Sequence, residues 1–438
     1  MFTRKFAALA VLAAAAHAHA QASPIEASAD RPAAVASISG ESSSVEMTLA
    51  EALDAASRNH PALRGASADV DASAGAWMQA GARPNPELSL LQEGLSGAER
   101  TTTALLSQTI ELGRKRGARL EVAAYGRQAA EAALDEQGAA VRADVVAAFY
   151  ALLAAQRQLE VAQESAAIAA RLADIAARRV KAGKVSPVEA TKAQVAAATV
   201  QMEVSAASGR VDVARERLNT ATGRAGGARP VAVGDLESVP SSPALTVLAA
   251  RLDDAPSARI ARANVLRSNA ATSLERAKRI PDITVSAGMK RVVTAGARDN
   301  QAVVGITIPL PLFDTNKGAM LEAAHKAERA NADLEREGAR LRLELTQAEA
   351  NYRTAIHEAQ RLKTDILPAA RQALEAMQRG YELGKFSFLD VLDAQRTLFQ
   401  GQSQYLRALA DAHAASADLG RIVGTPLTHV AQAATLTR

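Results

Sequence analysis

The sequence predicts a mainly α-helical protein with a small β part, in which one helix–hairpin–long helix–helix unit occurs twice. Three observations support this fold class: an alanine-rich composition, two long runs almost free of proline, and matched pairs of strand-like segments. Hydrophobic residues make up 48% of the 438 residues, yet the mean hydropathy is only −0.05, because the apolar residues are mostly small. Alanine is the best helix former, so this composition favours long helices.

The composition also excludes several classes of site. The chain has no cysteine, which excludes disulfides, thiolate metal sites, cysteine nucleophiles and a lipidated N-terminal cysteine. Lys and Arg exceed Asp and Glu by 51 − 47 = 4, a balance too even for a nucleic-acid-binding surface. We therefore expect no nucleic-acid partner.

The N-terminus is predicted to be a secretory signal peptide over residues 1–22. Two basic residues precede an apolar run at residues 6–16, and small residues mark cleavage after Ala20 or, as a close alternative, after Ala22. A short membrane anchor is the competing interpretation, but the run is too short to span a bilayer. Residues 23–47 are rich in Ser, Ala and Pro and are expected to form a flexible leader.

Matching segments recur in the same order in the two halves of the chain, which indicates an internal duplication. Gly-Lys-Val-Ser at 183–186 recurs as Gly-Lys-Phe-Ser at 384–387, an offset of 384 − 183 = 201. Upstream, Pro-Glu-Leu-Ser-Leu at 86–90 matches Pro-Asp-Ile-Thr-Val at 281–285. The predicted organisation is a first repeat, a linker, a second repeat and a tail, over residues 48–225, 226–242, 243–425 and 426–438.

Each repeat is predicted to contain a helix, two strands and then two helices joined by a tight turn. The first helices are predicted at 49–81 and 243–279, the strands at 86–95, 101–112, 282–293 and 302–312, and the long helices at 115–180 and 317–383. Gly183 and Gly384 are expected to end the long helices, since glycine is favoured just after a helix C-terminus. Ser186 and Ser387 are expected to cap the last helices. Apolar residues recur every seven positions after Ser387, which predicts coiled-coil packing.

The strand segments are close to the ~9–11 residues that a tilted strand needs to cross a bilayer. Four strands with open edges are too few for a barrel, but three chains would supply 3 × 4 = 12, an even number within the known range. The sequence therefore favours a homotrimer that shares one barrel. The alternative is two soluble hairpins that cap a helical bundle, and the scarcity of aromatic residues near the strands favours that alternative.

Four motifs carry a resemblance to a known family: Asn-His-Pro-Ala-Leu at 59–63, Arg-Pro-Asn-Pro-Glu-Leu at 83–88, Gln-Thr-Ile-Glu-Leu-Gly-Arg-Lys-Arg at 108–116 and Pro-Leu-Pro-Leu-Phe-Asp-Thr-Asn-Lys-Gly at 309–318. With the duplicated pattern, they resemble the TolC-type outer-membrane efflux family, and most of all its CzcC-like heavy-metal branch. The resemblance implies an outer-membrane trimer with a 12-stranded barrel above a periplasmic helical tunnel. It also implies a periplasmic adaptor protein and a proton-driven inner-membrane pump of the resistance–nodulation–division class as partners.

The segment Leu-Asp-Val-Leu-Asp-Ala at 389–394 matches the family motif at the periplasmic entrance. Asp390 and Asp393 lie three residues apart and therefore share one helix face. In a trimer they would form two stacked carboxylate rings, a known kind of cation-selective constriction, and like charges would raise some of their pKa values. The alternative is that both are solvated surface acids. Tyr381 matches a position where a tyrosine helps to latch the closed entrance, and the family pattern can place an arginine where this chain has Phe386.

The two tight turns are the predicted periplasmic tips, and the resemblance implies that they contact the adaptor. The tip residues are Gly183, Lys184, Val185, Ser186, Gly384, Lys385, Phe386 and Ser387. Ordinary helix–turn–helix capping explains the same residues and is compatible with adaptor contact.

We find no sequence signal for catalysis, a cofactor or a metal site. No two of the histidines in the predicted mature chain share a spacing of three or four, and no His-Glu-x-x-His motif occurs; these histidines are His60, His325, His357, His413 and His429. The expected function is a passive outer-membrane channel that exports divalent heavy-metal cations of the cobalt, zinc, cadmium or nickel type. The alternatives are a channel for drugs or other organic compounds, a periplasmic helical scaffold without a pore and, last, a hydrolase with a helical insertion.

Overall fold

The computed structural model describes residues 44–95, 99–224 and 229–427. The predicted signal peptide with its cleavage positions Ala20 and Ala22, most of the predicted leader and nearly all of the predicted tail lie outside the described residues.

The first half contains the predicted helix, two strands and two further helices. In chain order its elements are β1 (Ser44–Met47), α1 (Leu49–Asn59), α2 (Pro61–Gly81), β2 (Glu87–Glu93), β3 (Glu99–Ile110), α3 (Lys115–Lys181) and α4 (Pro187–Ala221). The single helix expected at 49–81 is divided at His60, whose backbone is extended. The cause is Pro61, because a residue that precedes proline is disfavoured in the α region.

The second half repeats this order with more interruptions. Its elements are β4 (Arg229–Ala232), α5 (Leu245–Ala249), α6 (Pro256–Ala277), β5 (Ile283–Thr294), β6 (Ala297–Thr307), α7 (Lys317–Arg361), α8 (Leu367–Glu382) and α9 (Phe388–Val423). The helix expected at 243–279 is replaced by α5, a 3₁₀ turn and α6, which begins at Pro256. Strand β6 begins five residues before the expected position, 302 − 297 = 5.

A π turn at Leu362–Ile366 joins α7 to α8. Pro368 follows it as the second residue of α8. Proline lacks the amide that a continuous α-helix would need at this point, and the locally widened turn accommodates the loss. The long helical arm therefore continues through the proline.

The four long strands form one antiparallel sheet in the order β2-β3-β5-β6. The central pair, β3 and β5, joins the two repeats along 12 residue pairs, from Glu99 opposite Thr294 to Ile110 opposite Ile283. Strands β2 and β6 are the two edges of the described sheet. One face, called the apolar face below, carries six large apolar side chains that are each at least 55% exposed: Leu88, Leu90, Leu106, Met289, Val304 and Ile306. The opposite face carries mostly Ser, Thr, Gly and other polar residues.

Helix α3 is the centre of the helical part and packs against α2, α4, α6 and α9. Its buried face includes Phe149, Leu152 and Leu153, which belong to the largest cluster of buried apolar side chains. Among the described residues, α3 alone is long and apolar enough to cross a membrane by composition, with an 18-residue stretch of mean hydropathy 1.5. Of that stretch, 39% is buried inside the fold.

The predicted linker and leader contain ordered structure. Strand β1, at the end of the predicted leader, pairs in parallel with β4 in the predicted linker. Met47 in β1 is almost fully buried, so its burial and the backbone hydrogen bonds outweigh the polar composition around it. The linker is held further along by a hydrogen bond of 3.0 Å between the Leu236 carbonyl and His413 Nε2. These contacts correct the expectation of a flexible leader up to residue 47.

Candidate functional site

The two tips have the same backbone geometry. Each contains a glycine in the left-handed region, with φ of 69° at Gly183 and 75° at Gly384. In both turns the glycine amide and the following lysine amide donate to carbonyls of the last helical turn, at 2.8–3.0 Å. Only glycine adopts this conformation without steric cost, which explains why the Gly-Lys pair occurs in both repeats.

The serines at 186 and 387 cap the helices that follow the tips, as the sequence predicts. Ser186 Oγ accepts from the Val188 amide at 3.4 Å, and Ser387 Oγ accepts from the Asp390 amide at 3.4 Å. Lys184 and Lys385 are exposed, Val185 is half-buried, and Phe386 is 43% exposed. The tips thus present two cations and one aromatic side chain to their surroundings.

Asp390 is part of the cap of α9. Its carboxylate accepts from the Ser387 amide and from the Ser387 hydroxyl, both at 2.8 Å, which completes a reciprocal capping box. These hydrogen bonds lower the pKa of Asp390 below its usual value. Within one chain, therefore, the pKa moves in the direction opposite to that expected for a ring of like charges.

Asp393 lies one turn further along α9 and is also exposed. Among the described residues its carboxylate makes neither an ion pair nor a hydrogen bond, so it is free to interact with a cation. The two aspartates share a helix face, but only the carboxylate of Asp390 has hydrogen-bond partners among the described residues.

Tyr381 is 1% exposed and holds the two hairpins together. Its hydroxyl donates to Glu189 Oε1 at 3.0 Å, near the start of α4. The guanidinium of Arg179, from the end of α3, lies 4.7 Å from the centre of the Tyr381 ring and donates to the Tyr381 carbonyl at 3.1 Å. Burial, and then the hydrogen bond to Glu189, raise the pKa of the Tyr381 hydroxyl. We call Arg179, Glu189 and Tyr381 the tip cluster.

The sequence prediction named Tyr381 but missed its two partners. Glu189 is the repeat counterpart of Asp390, since 390 − 201 = 189, and that offset could have identified it. No sequence signal distinguished Arg179 from the neighbouring basic residues. The family pattern can place an arginine at the position of Phe386. The Phe386 ring packs so closely on Gly380 that a Cβ atom on residue 380 would lie 2.0 Å from the ring. The cation next to Tyr381 comes instead from α3.

The tip cluster and the two aspartates are separate sites. The Tyr381 ring packs edge-on against Phe388, with centroids 6.2 Å apart, and the cluster faces inward. Asp390 and Asp393 face outward on α9. In the described part of the chain, no group of three or more His, Asp or Glu side chains is placed to hold a metal ion.

The comparison with protein families identifies the class of the chain. The pattern of the family described as outer membrane efflux protein matches residues 52–224 and again residues 247–425. The chain therefore belongs to the outer membrane efflux protein family, and it is an outer-membrane protein with a helical part in the periplasm. The resemblance predicted from the four sequence motifs is confirmed.

Three curated relatives carry metal-resistance names, among them CzcC and NccC. The cobalt-zinc-cadmium resistance protein CzcC of Cupriavidus metallidurans is 38% identical over 378 residues, which cover 86% of this chain and 90% of the relative. The nickel-cobalt-cadmium resistance protein NccC of Alcaligenes xylosoxydans xylosoxydans is 28% identical over 280 residues, or 62% of this chain and 61% of the relative.

Solved structures support the fold. One is a crystal structure of CusC, from work on its folding and transmembrane channel formation. The alignment includes 86% of this chain and 92% of the CusC chain, with a TM-score of 0.73. The sequence identity is 18%, so the match concerns the fold alone. It confirms a mainly helical chain of the TolC-like type.

Proposed function

We propose that the chain is the outer-membrane channel of a tripartite system that expels divalent heavy-metal cations. The observation that carries this proposal is the 38% identity to a cobalt-zinc-cadmium resistance protein over 90% of that protein's length. The geometry is compatible with such a channel, because a sheet with an exposed apolar face is joined to long helical arms with polar tips. The substrate class would be small hydrated cations such as cobalt, zinc, cadmium or nickel.

The channel would form when three chains close one barrel. A lone four-stranded sheet leaves backbone groups unpaired along β2 and β6, and in lipid each unpaired group costs several kcal/mol. Pairing β6 of one chain with β2 of the next satisfies both edges. Three chains would then surround a 12-stranded barrel whose apolar face contacts lipid and whose polar face lines the pore.

The chain would act as a passive conduit without catalysis or a cofactor. Energy would come from an inner-membrane pump of the resistance–nodulation–division class, linked through a periplasmic adaptor. The adaptor would contact the tips, where Lys184 and Lys385 offer positive charge. A conduit benefits from weak sites, since tight binding would slow the exit of the cation.

Deletion of the gene tests the substrate class. We expect the deletion strain to become sensitive to one or a few of cobalt, zinc, cadmium and nickel, with unchanged tolerance of drugs and detergents. Growth inhibition is measured across these metals, copper, silver and a drug panel, with complementation by the full chain as the control. Because another outer-membrane channel can substitute, the assay uses a strain without other channels of this family. Sensitivity to drugs alone would contradict the metal proposal while leaving the channel in place.

The aspartates on α9 are proposed to line the constriction, and their unequal roles give a second prediction. Asp393→Ala should weaken the block of single-channel current by polyvalent cations several-fold with little loss of stability, since its carboxylate has no partner among the described residues. Asp390→Ala should also weaken the block, but it removes a helix cap and should cost about 0.5–2 kcal/mol. Block is measured in planar bilayers, with Glu358→Ala on α7 as a charge-matched control. Unchanged block in both variants would contradict the constriction.

A further inference from the structure

The boundary between the strands and the helices carries an excess of positive charge. We call residues 82–87, 111–119, 275–282 and 308–317 the rim, because these four segments connect the sheet to α2, α3, α6 and α7. The rim contains nine Lys and Arg residues and five Asp and Glu residues, a net charge of 9 − 5 = +4. Towards the opposite end of the strands, Glu93, Glu99 and Asp299 offset most of the charge of Arg100, Lys290, Arg291 and Arg298, which leaves 4 − 3 = +1.

Internal ion pairs take up most of the rim's acidic side chains. Asp282 pairs with Lys115 at 2.7 Å, Glu275 pairs with Lys278 at 2.6 Å, and Glu111 pairs with Arg119. Within the described residues, six exposed cations form no ion pair at all: Arg83, Arg114, Arg116, Arg276, Arg279 and Lys317. The rim therefore presents unneutralised cations to its surroundings.

Exposed apolar side chains lie directly beside these cations. Leu310, Leu312 and Phe313 follow β6 and are 74%, 75% and 100% exposed. A cavity of about 390 Å³ is lined by the unpaired Arg279 beside Leu310 and Pro311. Its other charged lining residues are the paired Lys115, Lys278 and Asp282, together with Asp314. An unpaired arginine thus borders exposed apolar side chains just beyond the end of β6.

We propose that the rim binds the phosphate groups of anionic phospholipids in the membrane leaflet nearest the helices. A phospholipid matches both the cations and the apolar side chains of this surface. Its phosphate would pair with Arg279 and neighbouring cations, and its acyl chains would lie against Leu310 and the apolar face. Arginine is well suited to phosphate, because its guanidinium donates two parallel hydrogen bonds. Basic residues at a membrane surface attract anionic lipid by about 1 kcal/mol each.

The role of bound lipid would be to fix how deeply the barrel sits in the membrane. Three copies of the rim would form a continuous cationic ring, anchored to one leaflet by charge and to the hydrocarbon by Phe313 and its neighbours. The proposal rests on the membrane-spanning sheet of the proposed function, and it adds a lipid class and the residues that recognise it.

The single tryptophan of the chain offers a local probe. Trp77 is exposed on α2, and the end of α2 contacts the rim through hydrogen bonds from Arg116 Nε to the Gly81 carbonyl at 2.7 Å and from Arg119 Nε to the Ala80 carbonyl at 3.3 Å. Ala80 and Gly81 are three and four residues beyond Trp77, a rise of about 5–6 Å along the helix. Lipids brominated near the headgroup end of their acyl chains quench tryptophan close to the membrane surface, so Trp77 fluorescence reports which lipid is adjacent.

The experiment compares the full chain in vesicles of phosphatidylcholine and phosphatidylglycerol in which one or the other is brominated. We expect brominated phosphatidylglycerol to quench Trp77 in excess of its mole fraction, with a preference that weakens at high salt. The variant Arg83→Gln/Arg279→Gln/Lys317→Gln should reduce the preference for phosphatidylglycerol at least about fivefold. Loss of even about 1 kcal/mol of binding free energy has that effect. Arg100→Gln/Arg291→Gln/Arg298→Gln removes equal charge at the other end of the strands and should leave the preference unchanged.

Separate outcomes would overturn the two proposals. Equal quenching by both brominated lipids in inserted wild-type protein would overturn lipid recognition and leave the channel intact. An equal loss of preference in both triple variants would also overturn it, because net charge alone would then account for the effect. Failure of the wild-type chain to insert, with no quenching by either lipid, would overturn the membrane-spanning sheet and the rim proposal together.

Discussion

Covalent multimers are expected when cysteines are placed on the two edge strands of the sheet. Ser89→Cys on β2 is combined in turn with a cysteine at each odd-numbered residue from 301 to 307 on β6. One of these pairs should cross-link almost completely under oxidation and run as dimers and trimers on a non-reducing gel. The chain has no native cysteine, so every disulfide must come from the introduced pair.

Such a bond can form only between chains. β2 and β6 are separated by three strand spacings of about 4.8 Å, or about 14 Å, whereas a disulfide needs Cα atoms within about 7 Å. The even-numbered residues from 302 to 306 are the matched control. Their side chains lie on the apolar face and Ser89 lies on the other, so these pairs should not cross-link. Equal cross-linking at odd and even positions would contradict a closed barrel with continuous faces.

Removal of the Tyr381 ring is expected to loosen the periplasmic tips. Tyr381→Ala would leave a cavity where α3, α4 and α8 meet, and truncation of a buried aromatic residue costs about 3–5 kcal/mol. Because the loss is local, opening of the tips should become on the order of 100- to 1,000-fold more frequent. Limited trypsin cleavage at the exposed Lys184 and Lys385 measures this opening.

The variant Tyr381→Phe separates packing from the hydrogen bond. It retains the ring beside Arg179 and Phe388 and removes only the hydroxyl that donates to Glu189, a loss of about 0.5–1.5 kcal/mol. Cleavage should therefore be only several-fold faster than in the wild-type chain. Equal rates in the phenylalanine and alanine variants would show that packing of the ring contributes nothing to closure of the tips.

The sequence alone determined most of the secondary structure and the topology of the tips. The alanine-rich run from residue 115 predicted α3 to within one residue of its end, because helix propensity and the absence of proline act locally along the chain. The Gly-Lys turns and the serine caps were predicted for the same reason, since their geometry depends on a few adjacent residues. The family resemblance was equally visible, because it rests on continuous motifs.

Only the tertiary structure decided which side chains meet. Arg179, Glu189 and Tyr381 come from three helices, and nothing local to Arg179 marks it as the partner of a tyrosine 202 residues away. The capping role of Asp390 could be predicted from its spacing to Ser387, yet the difference from Asp393 emerged only when the carboxylate contacts were known. Likewise, the unneutralised cations of the rim depend on which acids are already paired. Long-range contacts of this kind are set by packing of the whole fold, whereas the local rules that govern helices and turns act over a few residues.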